Sequence, residues 1–169
     1  YLINYGGLLI LDADALNRIS ESKLGSNFFL ERKFKTWITP HSKEFCRLFP
    51  NIKSDNKLGL ARDVAKEFNI SILLKGANSI VADNKKVWQL FGTDSQTARA
   101  GLGDLLSGFI AGSSAIDLTF CRNITTDFFA KYVLLHSFAA SKCKNGSNAS
   151  AIGDELTKLM RNIKTRQIS

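Results

Sequence analysis

Leu8-Leu9-Ile10-Leu11-Asp12-Ala13-Asp14 is the stretch whose reading decides the fold class. A short, unbroken apolar run that stops at acidic residues is the pattern of a strand buried on both faces with its polar end at a sheet edge, and strands covered on both faces belong to parallel sheets. Asp12 and Asp14, two apart, point the same way if the strand persists. They then bind a cation or ligand, or they cap a helix that begins near Ala15. Working outward, Thr36-Trp37-Ile38-Thr39 is a second extended piece stopped by Pro40, and His41-Ser42-Lys43-Glu44 opens a helix that runs to Phe49. Asn56 to Asn69 carries Leu60, Val64, Ala65 and Phe68 at helical spacing. Ile70-Ser71-Ile72-Leu73-Leu74 is a third strand ending at Lys75-Gly76-Ala77, and Ser79 to Ala82 with Lys86 to Leu90 predicts a hairpin about Asp83-Asn84.

From Gly101 the period changes. Leu105, Leu106, Phe109 and Ile110 form one helical stripe, and Gly108 with Gly112 forms a small-residue stripe on another face. Glycine inside a helix costs about 1 kcal/mol relative to alanine, so two of them predict close backbone packing. Asp127 to Cys143 reads as a long helix, apolar almost all round and therefore buried between other elements, and Ile152 to Arg161 closes the chain as an amphipathic helix. Strands alternating with helices, followed by a run of helices, predict an α/β layer architecture whose ligand site lies beyond the carboxyl ends of the strands. Without an internal repeat, low-complexity tract or linker, the chain reads as one domain.

The 169 residues carry 23 Lys and Arg against 15 Asp and Glu, with 44% hydrophobic and 10% aromatic residues, a composition that argues against disorder, a collagen-like repeat or a disulfide scaffold. Cys46, Cys121 and Cys143 are odd in number, widely separated and lack a C-x-x-C pair, so neither a disulfide framework nor a zinc site is indicated and a reducing cytoplasm is the simplest compartment. The longest apolar segment, Phe128 to Cys143, is interrupted by Lys131, His136 and Lys142 and falls short of the roughly 18 residues that span a bilayer. A soluble protein without a membrane partner is expected. Tyr1-Leu2-Ile3-Asn4-Tyr5 has neither a signal-peptide pattern nor an initiator Met, which suggests a start within a longer protein. The net charge of +8 suits ligands that carry phosphate. Its basic residues are dispersed, however: Arg32, Lys33 and Lys35 lie early, and Lys158, Arg161, Lys164 and Arg166 lie late. With no RNA-binding aromatic signature and no Cys/His finger, they read as a solvated surface rather than a nucleic-acid groove.

The strongest chemical signal is Gly101-Leu102-Gly103-Asp104, which opens a helix after the turn-rich Gly92-Thr93-Asp94-Ser95-Gln96-Thr97. Glycines there admit close backbone approach, and unpaired N–H groups of a first helical turn make a site for anionic oxygen. No G-x-x-x-x-G-K-[ST] is present, and Leu106 replaces the third glycine of G-x-G-x-x-G, so this is neither a Walker nor a Rossmann loop. Asp104 at the helix start either stabilises the helix end or takes a proton from a hydroxyl that attacks a terminal phosphoryl group. Lys75-Gly76-Ala77-Asn78-Ser79 either grips a nucleotide phosphate or ribose or closes its strand as a polar turn. His41, with Glu44 three residues on, either caps its helix or touches substrate. His136, inside an apolar helix, reads as a satisfied core histidine.

Taken in order, Leu11-Asp12-Ala13-Asp14-Ala15-Leu16, Thr39-Pro40-His41-Ser42-Lys43-Glu44-Phe45, Leu74-Lys75-Gly76-Ala77 and Gly101-Leu102-Gly103-Asp104-Leu105-Leu106-Ser107-Gly108 resemble the ADP/ATP-dependent NAD(P)H-hydrate dehydratases of the ribokinase-like superfamily. The likeness covers residues 8 to 115. It implies a three-layer ribokinase-like α/β fold, with a mostly parallel sheet flanked by helices. It also implies that residues 1–169 are the carboxyl-terminal portion of one dehydratase domain, whose amino-terminal part, roughly another hundred residues, is missing. The implied reaction is repair of hydrated NADH or NADPH: the nucleotide phosphorylates the ring hydroxyl, and loss of phosphate restores the double bond. Carried over by motif, His41 and Asp104 contact the hydrated dinucleotide with Asp104 the favoured base, and Lys75, Gly76, Ala77, Asn78, Ser79, Gly101 and Gly103 hold the adenine nucleotide. ADP or ATP is the phosphoryl donor and Mg2+ accompanies it, with no protein metal ligand assigned. A homo-oligomer, often a tetramer, is implied, as is an amino-terminal epimerase domain on the same polypeptide in many bacterial members. Family members carry Asn-x-Gly-Met-Ala-[ST]-Gly-Gly-x-Gly-Asp where this chain has Asp94-Ser95-Gln96-Thr97-Ala98-Arg99-Ala100-Gly101-Leu102-Gly103-Asp104, and Arg99 adds a charge near the expected anion site. The same residues leave two other readings: a small-molecule kinase of the same superfamily acting on a vitamin precursor, and a nucleotide-binding module without turnover.

Overall fold

A computed structural model describes residues 1–91, 101–121, 123–143 and 147–166. The chain divides into two compact units, Tyr1–Phe91 and Gly92–Ser169. The run from Asp94 to Ala100, including Arg99, and the turn segment Gly92 to Thr97 lie outside the described residues.

The first unit follows the order of a 3-10 turn (Leu2–Asn4), β1 (Leu9–Leu11), α1 (Ala13–Glu21), α2 (Asn27–Glu31), β2 (Thr36–Ile38), α3 (Ser42–Leu48), α4 (Lys57–Glu67), β3 (Ser71–Leu74), β4 (Ser79–Ala82) and β5 (Val87–Leu90). The five strands form one sheet in the order β1-β2-β3-β4-β5. β1 pairs β2 and β2 pairs β3 in parallel, whereas β3 with β4 and β4 with β5 are antiparallel. The α/β architecture is the expected one, but parallel pairing is confined to the first three strands. The reason is connection length. Helices carry the chain from β1 to β2 and from β2 to β3, while the short loop Lys75 to Asn78 permits only a hairpin return. The hairpin about Asp83-Asn84 is present, its turn fixed by the Asp83 carboxylate, which accepts the N–H groups of Lys85 and Lys86 at 2.7 Å.

β1 lies at the edge of the described sheet, so Leu9 and Ile10 are half-buried and only Leu11 is fully covered, where the apolar run predicts burial of the whole strand. The core below gathers Leu16, Ile19, Ile38, Val64 and Ile72 around Phe29, Phe45, Phe49 and Phe68. These rings sit 4.9 to 6.4 Å apart between centroids, the spacing at which edge and tilted contacts add to area burial.

Arg32 corrects the reading of a uniformly solvated basic surface. It is 4% exposed. Its guanidinium donates to the carbonyls of Leu2, Tyr5 and Gly7 at 2.6 to 2.7 Å, and to Thr36 Oγ1 at 2.8 Å. A planar fork of donors is what such a carbonyl cluster requires. Burial lowers its pKa from the usual arginine value.

The second unit holds α5 (Leu102–Phe120), α6 (Thr126–Lys142) and α7 (Ala149–Arg166), which pack pairwise. Ala139, Ala140, Ile152 and Leu156 form its buried cluster, with Leu105 and Phe109 packed against it. Tyr132 donates its hydroxyl to Asp117 Oδ2 at 2.5 Å, joining α6 to α5; burial first, and then this carboxylate, push the phenol's pKa up. Asn148 caps α7 by accepting the Ala151 N–H at 3.0 Å.

Three expectations change here. Gly108 and Gly112 are exposed, and a Cβ built at either meets no described atom within 4 Å, so among the described residues the glycine stripe marks an open face rather than a close backbone contact. α6 buries Phe129, Tyr132, Val133 and Ala139 on one side but leaves Leu134 54% and Phe138 46% exposed, so it is not covered all round. Each of three helices packed pairwise hides one stripe, and an all-apolar helix in such a group shows its far side. His136 is a core residue as expected but not a satisfied one: its Nε2 is buried without a partner among the described residues.

Candidate active site

Beyond the carboxyl ends of β1, β2 and β3 the ladder continues. The Thr39 N–H donates to the Leu11 carbonyl at 3.1 Å and the Lys75 N–H to the Pro40 carbonyl at 2.9 Å, and His41 and Lys75 form an isolated parallel bridge. This backbone register sets Asp12, His41 and Lys75 in one row across neighbouring strand ends, the place where open α/β sheets bind ligands.

His41 is the N-cap of α3 in a reciprocal capping box. Its Nδ1 accepts the N–H groups of Lys43 and Glu44 at 3.1 and 3.2 Å, and the buried Glu44 carboxylate accepts the His41 N–H at 2.8 Å. An Nδ1 that accepts two N–H groups carries no proton, so in neutral imidazole the proton sits on Nε2. The His41 side chain is 47% exposed. It therefore caps its helix, with Nε2 3.4 Å from Glu44 Oε1 and the ring half-exposed at the strand ends.

Lys75 reaches past the end of β2 to Asp12, Nζ to Oδ1 at 2.8 Å, with the two side chains only 24% and 12% exposed. Asp12 also accepts the Ala13 N–H at 2.9 Å at the start of α1. The strand does not persist: the chain turns into α1 at Ala13, and Asp14 is left exposed in its first turn. Lys75, Gly76, Ala77 and Asn78 line a cavity of about 360 Å³, closed on another side by Ser42 and by Asn56 and Lys57 at the start of α4. Ser79 stands apart from its neighbours, buried as the first residue of β4 with its hydroxyl donating to the Gly76 carbonyl at 3.2 Å. The Asp12–Lys75 pair and the contribution of α4 escaped the sequence reading. The only signal was an acidic and a basic residue each following an apolar strand.

In the second unit, Gly101 adopts φ 81 as the N-cap of α5, a left-handed conformation that favours glycine. Its carbonyl accepts the Leu105 N–H at 2.9 Å, and no side chain caps the first turn among the described residues. Gly103 and Asp104 follow within that turn. Asp104 is exposed and lines one end of a groove of about 790 Å³ between α5 and α7, together with Gly108, Phe109, Gly153 and Met160. An exposed carboxylate beside N–H groups that no described side chain caps is an arrangement able to bind anionic oxygen and to accept a proton close by.

The sequence model of the NAD(P)H-hydrate dehydratase family matches residues 2–164. A bifunctional NAD(P)H-hydrate repair enzyme of Gloeobacter violaceus is 40% identical over 105 residues, covering 62% of this chain and 20% of the relative. An ADP-dependent (S)-NAD(P)H-hydrate dehydratase of Nitrosopumilus maritimus is 37% identical over 78 residues, covering 44% of this chain and 27% of the relative. The matched stretch thus spans about a fifth to a quarter of these curated relatives. Among solved structures, a ribokinase-like superfamily protein from Enterococcus faecalis superposes with a TM-score of 0.76 at 26% identity, covering 92% of this chain and 52% of that one. The ADP/ATP-dependent NAD(P)H-hydrate dehydratase of Bacillus subtilis, co-crystallized with ATP/Mg2+, gives 0.68 at 22% identity over 92% of this chain and 55% of that one. The fold is ribokinase-like.

Proposed function

Since the chain belongs to the NAD(P)H-hydrate dehydratase family, we propose that it takes part in the nucleotide-dependent dehydration of hydrated NADH or NADPH. The ring hydroxyl attacks the terminal phosphorus of ADP or ATP; the new O–P bond forms as the nucleotide's terminal O–P bond breaks. Phosphate then leaves with the C–O electron pair, a ring proton is lost, and the double bond returns. Asp104 accepts the hydroxyl proton. Within the first unit, Lys75, Gly76, Ala77, Asn78 and Ser79 serve the nucleotide and His41 the dinucleotide; within the second, Gly101 and Gly103 supply backbone N–H groups to phosphate. Positioning and charge, not covalent chemistry, are what phosphoryl transfer asks of a protein.

Magnesium fits this donor set as an ion carried by the nucleotide. Among the described residues no group of three or more His, Cys, Asp or Glu forms a cage, and magnesium keeps its waters and takes substrate phosphates with one or two carboxylates. When bound, it offsets charge on the phosphate oxygens. The same reading puts the chain in the cytoplasm, in a homo-oligomer, with an epimerase domain on the same polypeptide; that relatives are named bifunctional supports a second activity on one chain. Among the described residues no helix is long and apolar enough to cross a membrane.

The observation that carries the reading is the first turn of α5, where N–H groups without a side-chain cap among the described residues and the exposed Asp104 carboxylate stand together. The test supplies hydrated NADH with ADP or ATP and follows the return of dihydronicotinamide absorbance. Repair is expected, and Asp104→Asn is expected to slow it by roughly 10²- to 10⁴-fold, the range for losing a general base. Phosphorylation of a vitamin alcohol without repair would instead mark a small-molecule kinase, and nucleotide binding with no turnover a binding module.

A further inference from the structure

We propose that Asp12 is a positioning residue: it fixes the Lys75 ammonium in the wall of the first unit's cavity, where that ammonium meets the anionic end of a bound nucleotide. The inference rests on the nucleotide-dependent reading above.

Three observations converge on it. Lys75 lines the cavity and Asp12 does not, yet the two are joined at 2.8 Å across 63 residues of sequence. Asp12 therefore acts on the cavity through Lys75. Second, the pair is largely covered, with 12% of the Asp12 side chain and 24% of the Lys75 side chain exposed. An ammonium on a flexible four-carbon stem otherwise samples many rotamers, and a charge-assisted bond in partly desolvated surroundings holds one of them. An ammonium has three donors, so the bond to Asp12 leaves capacity for a phosphate oxygen. Third, the backbone at this corner is strained. Ala13 sits at φ 45, a left-handed conformation that costs an L-residue about 1–2 kcal/mol. Strain of this kind is retained where the surroundings over-determine it. Here the turn ends β1 at Leu11 and leaves Asp12 between the strand and α1, within reach of Lys75.

The competing account is that Asp12 does no more than begin α1. Serine separates the two, because it keeps a cap acceptor and loses the charge. Binding of ADP, with and without Mg2+, and of adenosine to the 169-residue chain is measured by titration calorimetry for the wild type, D12S, D12E, K75M and the D12S/K75M double variant, with thermal melts to establish folding. D12S is expected to weaken ADP roughly tenfold, as loss of a charge-assisted contact does, while adenosine, which has no phosphate, binds as before. D12E is expected to recover part of the loss. In the K75M background D12S should change ADP affinity by less than about twofold, because residues that act through one contact are not additive. ADP affinity in D12S within about twofold of wild type overturns the inference and leaves the nucleotide reading standing, as does an equal loss for ADP and adenosine. A folded wild type that binds no adenine nucleotide overturns the nucleotide reading itself, and the role of Asp12 with it.

Discussion

The strand ends of the first unit and the first turn of α5 in the second both present groups suited to anionic oxygen, and they are built in opposite ways. At the strand ends the functional groups are engaged with one another: Lys75 with Asp12, His41 with Glu44 and with the backbone of its own helix. The groups stand where they do because folding contacts hold them. At α5 the N–H groups have no side-chain cap among the described residues, and the exposed Asp104 lines a groove. The helix dipole and one glycine in a left-handed conformation suffice to present them. The contrast teaches that chemistry and stability are coupled in the first region and separable in the second. Asp104→Asn should therefore remove activity while changing stability by less than about 1 kcal/mol, the upper range for a carboxylate at an exposed helix start.

The strongest way to break this contrast is Arg32. Its guanidinium ties the carbonyls of Leu2, Tyr5 and Gly7 to β2 through Thr36, and so holds the segment that leads into β1. Arg32→Met keeps much of the stem and removes every donor. Hydrogen bonds to a charged group contribute about 1.5–3 kcal/mol each, and carbonyls left buried without partners add a penalty. A loss of at least about 3 kcal/mol is expected, or roughly 6–12 °C in Tm for a chain of this size. A fall of only a degree or two would mean that the leading segment contributes little to the first unit, and the coupling argued above would lose its footing.

How much of this was legible in the sequence follows the same division. His41-Ser42-Lys43-Glu44 announced a helix start, and Gly101-Leu102-Gly103-Asp104 another, because capping and left-handed glycine are decided within a few residues. The Asp12–Lys75 bond was not legible. It depends on β1, β2 and β3 lying side by side in one register, and no local pattern encodes a contact between residues 63 apart. Arg32 looked like one more surface charge because its partners are backbone carbonyls, which any sequence supplies. The sequence shows Asp94 to Ala100 to differ from the family pattern, but that run lies outside the described residues.

A smaller effect, dependent on pH, probes the interior of the second unit. His136 is buried on α6 with Nε2 unpartnered among the described residues, and burial pushes its pKa down from 6.5 to about 4. Between those values the unfolded chain binds a proton that the folded chain refuses, so stability is fully present above pH 6.5 and is lost as the pH falls toward 4. The slope is at most about 1.4 kcal/mol per pH unit, which gives a loss of about 2 kcal/mol between pH 7 and pH 5. Urea unfolding across that range is expected to show the decline in the wild type and a flatter profile in His136→Gln. Parallel profiles for the two proteins would place the acid sensitivity elsewhere.

The smallest expected effect is also the one whose sign carries information. Gly108 lies inside α5, is exposed, and has nothing within 4 Å of where a Cβ would stand. If that face is as open in solution, Gly108→Ala gains helix propensity and loses nothing to collision, a stabilisation of about 0.5–1 kcal/mol. This corresponds to a rise of roughly 1–4 °C in Tm. Were a surface to seat itself against the glycines, the added methyl would meet it, and overpacking by one methyl costs about as much as the helix gains or more. The sign thus distinguishes a bare groove beside Asp104 from a covered one. A stabilised variant that keeps its repair rate sharpens the contrast between the two regions, because it shows that α5 can be altered one helical turn from its acid without disturbing the chemistry. A destabilised one assigns to the glycine stripe the close packing that its sequence first suggested.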